Sequence, residues 1–248
     1  MESPEKADEM NVELAANYEG NAALLLFSRL HNPIIRRQLI DLYIKAGLES
    51  EEKIEKKLDS RLKQEEDKTY IEFSDDEPYS GSRGAVITMN WCFPLTSKKP
   101  TPKMLSIIEA HEKGHHIRFG VNYEDYLSTY FSRALDMAGV TVPKEQIELL
   151  KEYERIQDKT DQDKTDDEFL KEWFQYLLSP HEIAERMSQI KNYFGFSGSE
   201  KLTKEQLDYA KKHYVEDTGS DNGMSVFFQA ITSDTEDAFL EIINNSGI

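Results

Sequence analysis

Thr101-Pro-Lys-Met-Leu-Ser-Ile-Ile-Glu-Ala-His111-Glu112-Lys113-Gly114-His115 is the stretch on which the reading of this chain turns. Thr101 predicts a helix N-cap, followed by proline at the first helical position, where its missing N–H costs nothing. Met104, Ile107 and Ile108 recur at spacings of three and four with His111 and His115, so one predicted face carries both the apolar residues and the imidazoles. Residues four apart on a helix share a side. The two histidines can therefore hold one metal ion, with Glu112 beside them to take a proton from a water bound there. Gly120 is placed to end the helix. His116 is turned by about 100° from His115 and does not aim at the same point. Arg118 and Val121 stand where the extended form of this pattern has glycine and histidine, so a third ligand must come from elsewhere in the chain.

Upstream of this helix, Ala85 to Trp91 alternates apolar and polar residues and predicts a strand. Thr69 to Phe73 is a shorter strand candidate, and Ser74 to Arg83 reads as a polar loop. Val12 to Leu30 and Pro33 to Ala46 predict two amphipathic helices, broken at Asn32-Pro33 and stopped at Gly47. Glu49 to Lys63 is so highly charged that it reads as a solvated helix. Downstream the pattern is helical: Tyr123 to Ala138, Lys144 to Ile156, Asp167 to Leu178, Pro180 to Phe194, Lys204 to Tyr214 and two short helices after that. Asp158 to Asp167 is a small low-complexity repeat expected as an exposed loop. The expected fold is α+β and predominantly helical, with a small sheet whose edge strand precedes the motif helix. Its expected parts are a disordered N-terminus (1–10), a helical segment (11–66) and a main domain (67–248).

A net charge of −17 argues against nucleic acid or an anionic membrane as partner, since neither would meet a cationic footprint. The lone Cys92 rules out an internal disulfide framework or a thiolate metal cluster. The sequence holds no apolar run long enough for a membrane span, and its polar, acidic start is unlike a secretory signal, so a cytoplasmic location is expected. Asp217-Thr218-Gly219 matches an aspartic-protease triplet, but that chemistry needs two carboxylates sharing a proton, and no second copy exists. Asp217 to Gly223 departs from a calcium loop at Gly219 and Asn222. Both read as a turn between helices.

Candidates for the third ligand gather in His181-Glu182-Ile183-Ala184-Glu185. The helix they open has an apolar stripe of Ile183, Met187, Ile190 and Phe194, with Glu182 on its flank. His181 and Glu185 project from the opposite side, predicted as the more exposed one. This geometry favours Glu182. Two other readings stand beside it. Ser179 and Glu182 fit a capping box, in which the carboxylate bonds back to the Ser179 N–H. In a different register His181 is the ligand and Glu185 supports it.

These residues together resemble a zincin metallopeptidase of the glutamate-zincin type. The run Pro180-His181-Glu182-Ile183 with Arg186 also resembles a P-x-E-I/V-x-x-R stretch in uncharacterised bacteriophage and bacterial proteins of this kind. The resemblance implies a Zn2+ ion held by His111, His115 and Glu182, water at the open position, and Glu112 as general base. It implies a peptide or protein substrate, bound in extended form by strand addition to Ala85–Trp91. A transition-state donor would come from Tyr214, His213, Tyr176 or Arg186. The span from His115 to Glu182 exceeds the compact thermolysin-like pattern, so the intervening helices must fold over or beside the cleft. A rival expectation is a catalytically inactive, zinc-stabilised binding or structural module of phage type. Glu112 separates the two, since a purely structural site does not require it.

Overall fold

A computed structural model describes residues 21–66, 71–74, 81–83, 87–90, 102–118, 124–157, 164–218 and 222–248. The expectations of a disordered start, of Gly120 as helix stop and of the middle of the Asp158–Asp167 repeat lie outside these residues. Three N-terminal helices, α1 (Asn21–His31), α2 (Pro33–Lys45) and α3 (Glu51–Glu66), lead to β1 (Ile71–Ser74), β2 (Gly81–Arg83) and β3 (Ile87–Asn90). The motif helix α4 (Pro102–Arg118) follows, then α5 (Glu124–Ser132), α6 (Lys144–Gln157), α7 (Asp166–Leu177) and α8 (Pro180–Tyr193). The chain continues through α9 (Lys204–Thr218), α10 (Asn222–Ala230) and α11 (Glu236–Asn245).

The α+β expectation is overturned: the body of the molecule is helical. Its main hydrophobic core, among the described residues, draws on helices and the turns between them, from Leu26 and Leu39 through Ile107, Met187 and Tyr214 to Phe239. The extended segments are three or four residues long and pair in the order β1-β3-β2. β3 runs parallel to β1, with Ile71 opposite Ile87, and antiparallel to β2, with Ser82 opposite Thr88. The strand preceding the motif helix is thus the middle one. Both its edges are already hydrogen-bonded, so it cannot take up a peptide by strand addition. Gly81–Arg83, expected as part of a loop, supplies the strand that covers one of those edges.

The α1–α2 junction follows its sequence closely. Asn32 Oδ1 accepts from Ile34 N at 3.0 Å and Ile35 N at 3.4 Å, and Pro33 opens α2. Gly47, at φ 75°, ends that turn in the left-handed region. α3 is not the solvated helix its charge suggested. Ile54, Leu58 and Leu62, four residues apart, are buried, and so is Glu65. Three apolar residues on one stripe suffice to dock a helix against α2 and α4. A smaller cluster of Ile147, Leu150 and Phe169 joins α6 to α7.

Two helices occupy the centre. α4 packs against α1, α3 and α8 and touches β2 and β3. α8 packs against α1, α4, α5 and α7, and every residue from Glu182 to Asn192 is buried. Neither helix therefore has the single buried face the periodicity predicted. Several of their polar residues are buried with partners. Lys113 Nζ lies 3.2 Å from Glu109 Oε1, donates to the Glu65 carbonyl at 2.9 Å and stands over the Phe27 ring. His116 Nδ1 lies 2.7 Å from Glu65 Oε1. The crossing of α4 and α8 places the candidate site.

Candidate metal centre

On α4, His111 and His115 are one turn apart, with ring centroids separated by 4.5 Å. From α8, Glu182 reaches across. Its Oε2 is 3.4 Å from His111 Nε2 and its Oε1 is 3.2 Å from His115 Nε2. Glu182 thus turns one oxygen to each imidazole, an arrangement that brings two nitrogen donors and a carboxylate within reach of one cation. The three residues form a group that can hold a metal ion, their ligand atoms all within 4.8 Å of one another. Glu182 is only 3 % exposed and His111 9 %, which makes an unpaired carboxylate there costly and a cation favourable. The donor set of two imidazoles and a carboxylate suits zinc, with at least one position left over. In most such sites the second ring nitrogen donates to a partner. Here neither His111 Nδ1 nor His115 Nδ1 has one among the described residues.

The capping reading of Glu182 fails on local geometry. Ser179 is the N-cap of α8 but makes no side-chain cap bond. Its Oγ donates to the Tyr176 carbonyl at 2.7 Å and meets His181 Nε2 at 3.2 Å. Glu182 is instead engaged by the two histidines and by Arg186, whose Nη2 donates to Glu182 Oε2 at 3.2 Å. His181 stands beside the triad, its ring 5.6 Å from that of His115, but outside the ligand group. Glu185 departs furthest from expectation. It is fully buried, and both its oxygens accept from Arg118 Nη1 on α4, at 2.6 and 2.5 Å.

Electrostatics fit a site prepared for a cation. Burial penalises charge on both partners of the His111–Glu182 pair, yet their attraction prevails. His111 is raised above its ordinary value and Glu182 is held well below the carboxylate range. Glu112 is half-buried and shifted upward. Burial is the main cause, with His111 and His115 opposing it and Glu182 and Glu185 adding to it. A carboxylate raised in this way is a better proton acceptor.

Among the four donor candidates, Tyr176 and Arg186 lie at the triad. Tyr176, half-exposed in the last turn of α7, faces Glu182, and burial together with that carboxylate keeps its hydroxyl protonated. Tyr214 is fully buried in an aromatic group with Tyr193 and Phe228. His213 stacks on Tyr209 at 4.4 Å. Tyr193 is eleven residues beyond Glu182 on α8, or about 16 Å along the axis, so the fold does not bring Tyr214 to the triad. Asp217, from the aspartic-protease triplet, accepts the Tyr193 hydroxyl near the end of α9.

The arrangement that sequence reasoning missed is the Arg118–Glu185 pair and what lies beneath it. A Cβ added at Gly114 would overlap the Glu185 carboxylate. The available signal was the glycine itself, since an interior helix glycine costs up to about 1 kcal/mol relative to alanine and often marks a close approach. A cavity of about 720 Å³ is lined by Met137, Leu170, Phe174, Leu178, Ser179 and Pro180. None of the described helices is long and apolar enough to cross a membrane. No protein-family model, curated protein or solved structure matches the chain.

Proposed function

We propose that the protein is a zinc-dependent hydrolase acting on peptide bonds, with His111, His115 and Glu182 holding the ion. The observation that carries this reading is the triad of His111 and His115 on α4 with Glu182 from α8, and Glu112 next to the first histidine. A zinc ion held there supplies Lewis acidity, polarising a carbonyl and lowering the pKa of a water. The chain's own part is proton handling and charge stabilisation. The Glu112 carboxylate accepts the proton of the attacking water and passes it to the leaving amine. Tyr176, kept protonated, has a hydroxyl to offer the oxyanion that develops, and Arg186 holds the Glu182 carboxylate in place. The substrate does not enter along β3, whose edges are both paired.

A second reading has an observation in its favour. The triad joins the two central helices, so a metal there would also staple the core, as in a binding or structural module without catalysis. One experiment separates the two. Purified protein is expected to carry about one zinc per chain, and a peptide library incubated with it should yield defined cleavage products. Glu112→Gln should retain the zinc and lose the cleavage, because an amide cannot accept the proton. Zinc without any cleavage by the wild type would favour the staple, and protein that takes up no transition metal would refute both.

A further inference from the structure

The contacts between α4 and α8 repeat at two levels. At the first, His111 and His115 meet Glu182. At the second, each participant is three residues further on: Gly114 and Arg118 meet Glu185. A step of three moves about 4.5 Å along a helix and some 60° back around it. The second contact therefore runs beside the first on both helices. It is the tighter of the two. Arg118 and Glu185 are 2 % and 0 % exposed, and one guanidinium nitrogen binds both carboxylate oxygens. Glu185 lies so close to the α4 backbone that only the missing side chain of Gly114 admits it. The Arg118 carbonyl in turn accepts the Tyr43 hydroxyl from α2, which anchors this end of α4 to a third helix.

We infer that Gly114, Arg118 and Glu185 form a clamp that sets the register of α8 on α4 and so holds Glu182 at ligand distance from both histidines before any metal arrives. These are positioning residues: none belongs to the ligand group, and they act through the placement of Glu182. A buried ion pair is a poor device for stability, since well-packed apolar residues of similar volume often serve as well or better. It is a better device for register, because a buried carboxylate that must meet one guanidinium and also fit against a helix backbone restricts the relative placement of the two helices. The inference rests on the metal-site reading above and adds that the site's geometry is imposed by the fold.

The test compares wild type, Glu185→Gln and the apolar pair Arg118→Met/Glu185→Leu. The readouts are zinc affinity by chelator competition, the visible absorption of the cobalt-substituted protein, and metal-free melting. The clamp predicts that Glu185→Gln binds zinc 10- to 100-fold more weakly, the loss typical of residues that orient a ligand. It predicts that the apolar pair folds, melts at or above Glu185→Gln, and still binds at least tenfold more weakly than wild type with a changed cobalt spectrum. A merely structural role would move the melting temperature and leave the spectrum of the folded fraction unchanged. Wild-type affinity in Glu185→Gln, or in the apolar pair should the single variant not fold, would overturn the clamp and leave the metal site standing. Wild type that binds neither zinc nor cobalt would overturn the metal reading and the clamp with it.

Discussion

At the scale of single residues, Glu182 bears the most weight because it alone comes to the centre from a second helix. Glu182→Ala is expected to strip zinc, measured by elemental analysis after dialysis, whereas His181→Ala should keep it. Loss of metal in His181→Ala alone would reverse the assignment. The Ser179 side chain, which caps nothing at α8, offers a contrast with Thr165, whose hydroxyl accepts from Glu168 N while Glu168 bonds back to Thr165 N at 3.0 Å. Thr165→Ala should therefore cost about 1 kcal/mol of stability in denaturant melts, and Ser179→Ala clearly less. Equal losses would mean that Ser179 caps α8 in solution.

At the scale of elements, what matters is how helices with so many charges become central. α3 shows the economy of it: Ile54, Leu58 and Leu62 bury one stripe, and the remaining charges face outward except Glu65, which takes His116 from the motif helix. Leu62→Ala removes a buried side chain of that stripe, three residues before Glu65, and should lower stability by roughly 2–5 kcal/mol. A change under 1 kcal/mol in urea unfolding would show that α3 is the solvated helix its composition implied. Much of this fold was legible in sequence. Caps and breaks at Asn32-Pro33, Gly47 and Pro180 mark helix ends that the structure reproduces within a few residues. Burial on several sides of α4 and α8 was not legible, because periodicity reports one apolar face and says nothing of polar residues buried against partners distant in sequence.

At the scale of the whole molecule, a metal held at the proposed site would be coupled to the fold. An ion bound only by the folded chain stabilises it by mass action, about 2.7 kcal/mol at a hundredfold excess over Kd. Chelation should lower the melting temperature, and added zinc should restore it. The sign with pH follows from His111. Its pKa is raised by Glu182, and the ring must be neutral to ligate, so zinc affinity should fall as pH drops through that raised value. Glu182, held well below the usual range, stays ionised over the same interval and adds no further loss. Competition titrations at several pH values would check this, and an affinity flat through the histidine range would contradict it.

The sequence by itself determined that both imidazoles of α4 lie on one side of the helix. His111 and His115 follow from the 3.6-residue period, with Glu112 adjacent, and that local geometry needs no tertiary contact to exist. It also narrowed the third ligand to three neighbours, His181, Glu182 and Glu185. Only the tertiary structure chose among them, sending Glu182 to the histidines and Glu185 to Arg118. The physical reason is that rotation about a helix axis is fixed by what the helix packs against. α8 is buried on all sides, so its apolar stripe left that rotation undetermined, and the close approach at Gly114 together with the Arg118 pair settled it. The same holds for the strands. Alternation predicts that Ile87–Asn90 is extended, but whether a strand lies at an edge or in the middle depends on partners that its own residues do not encode.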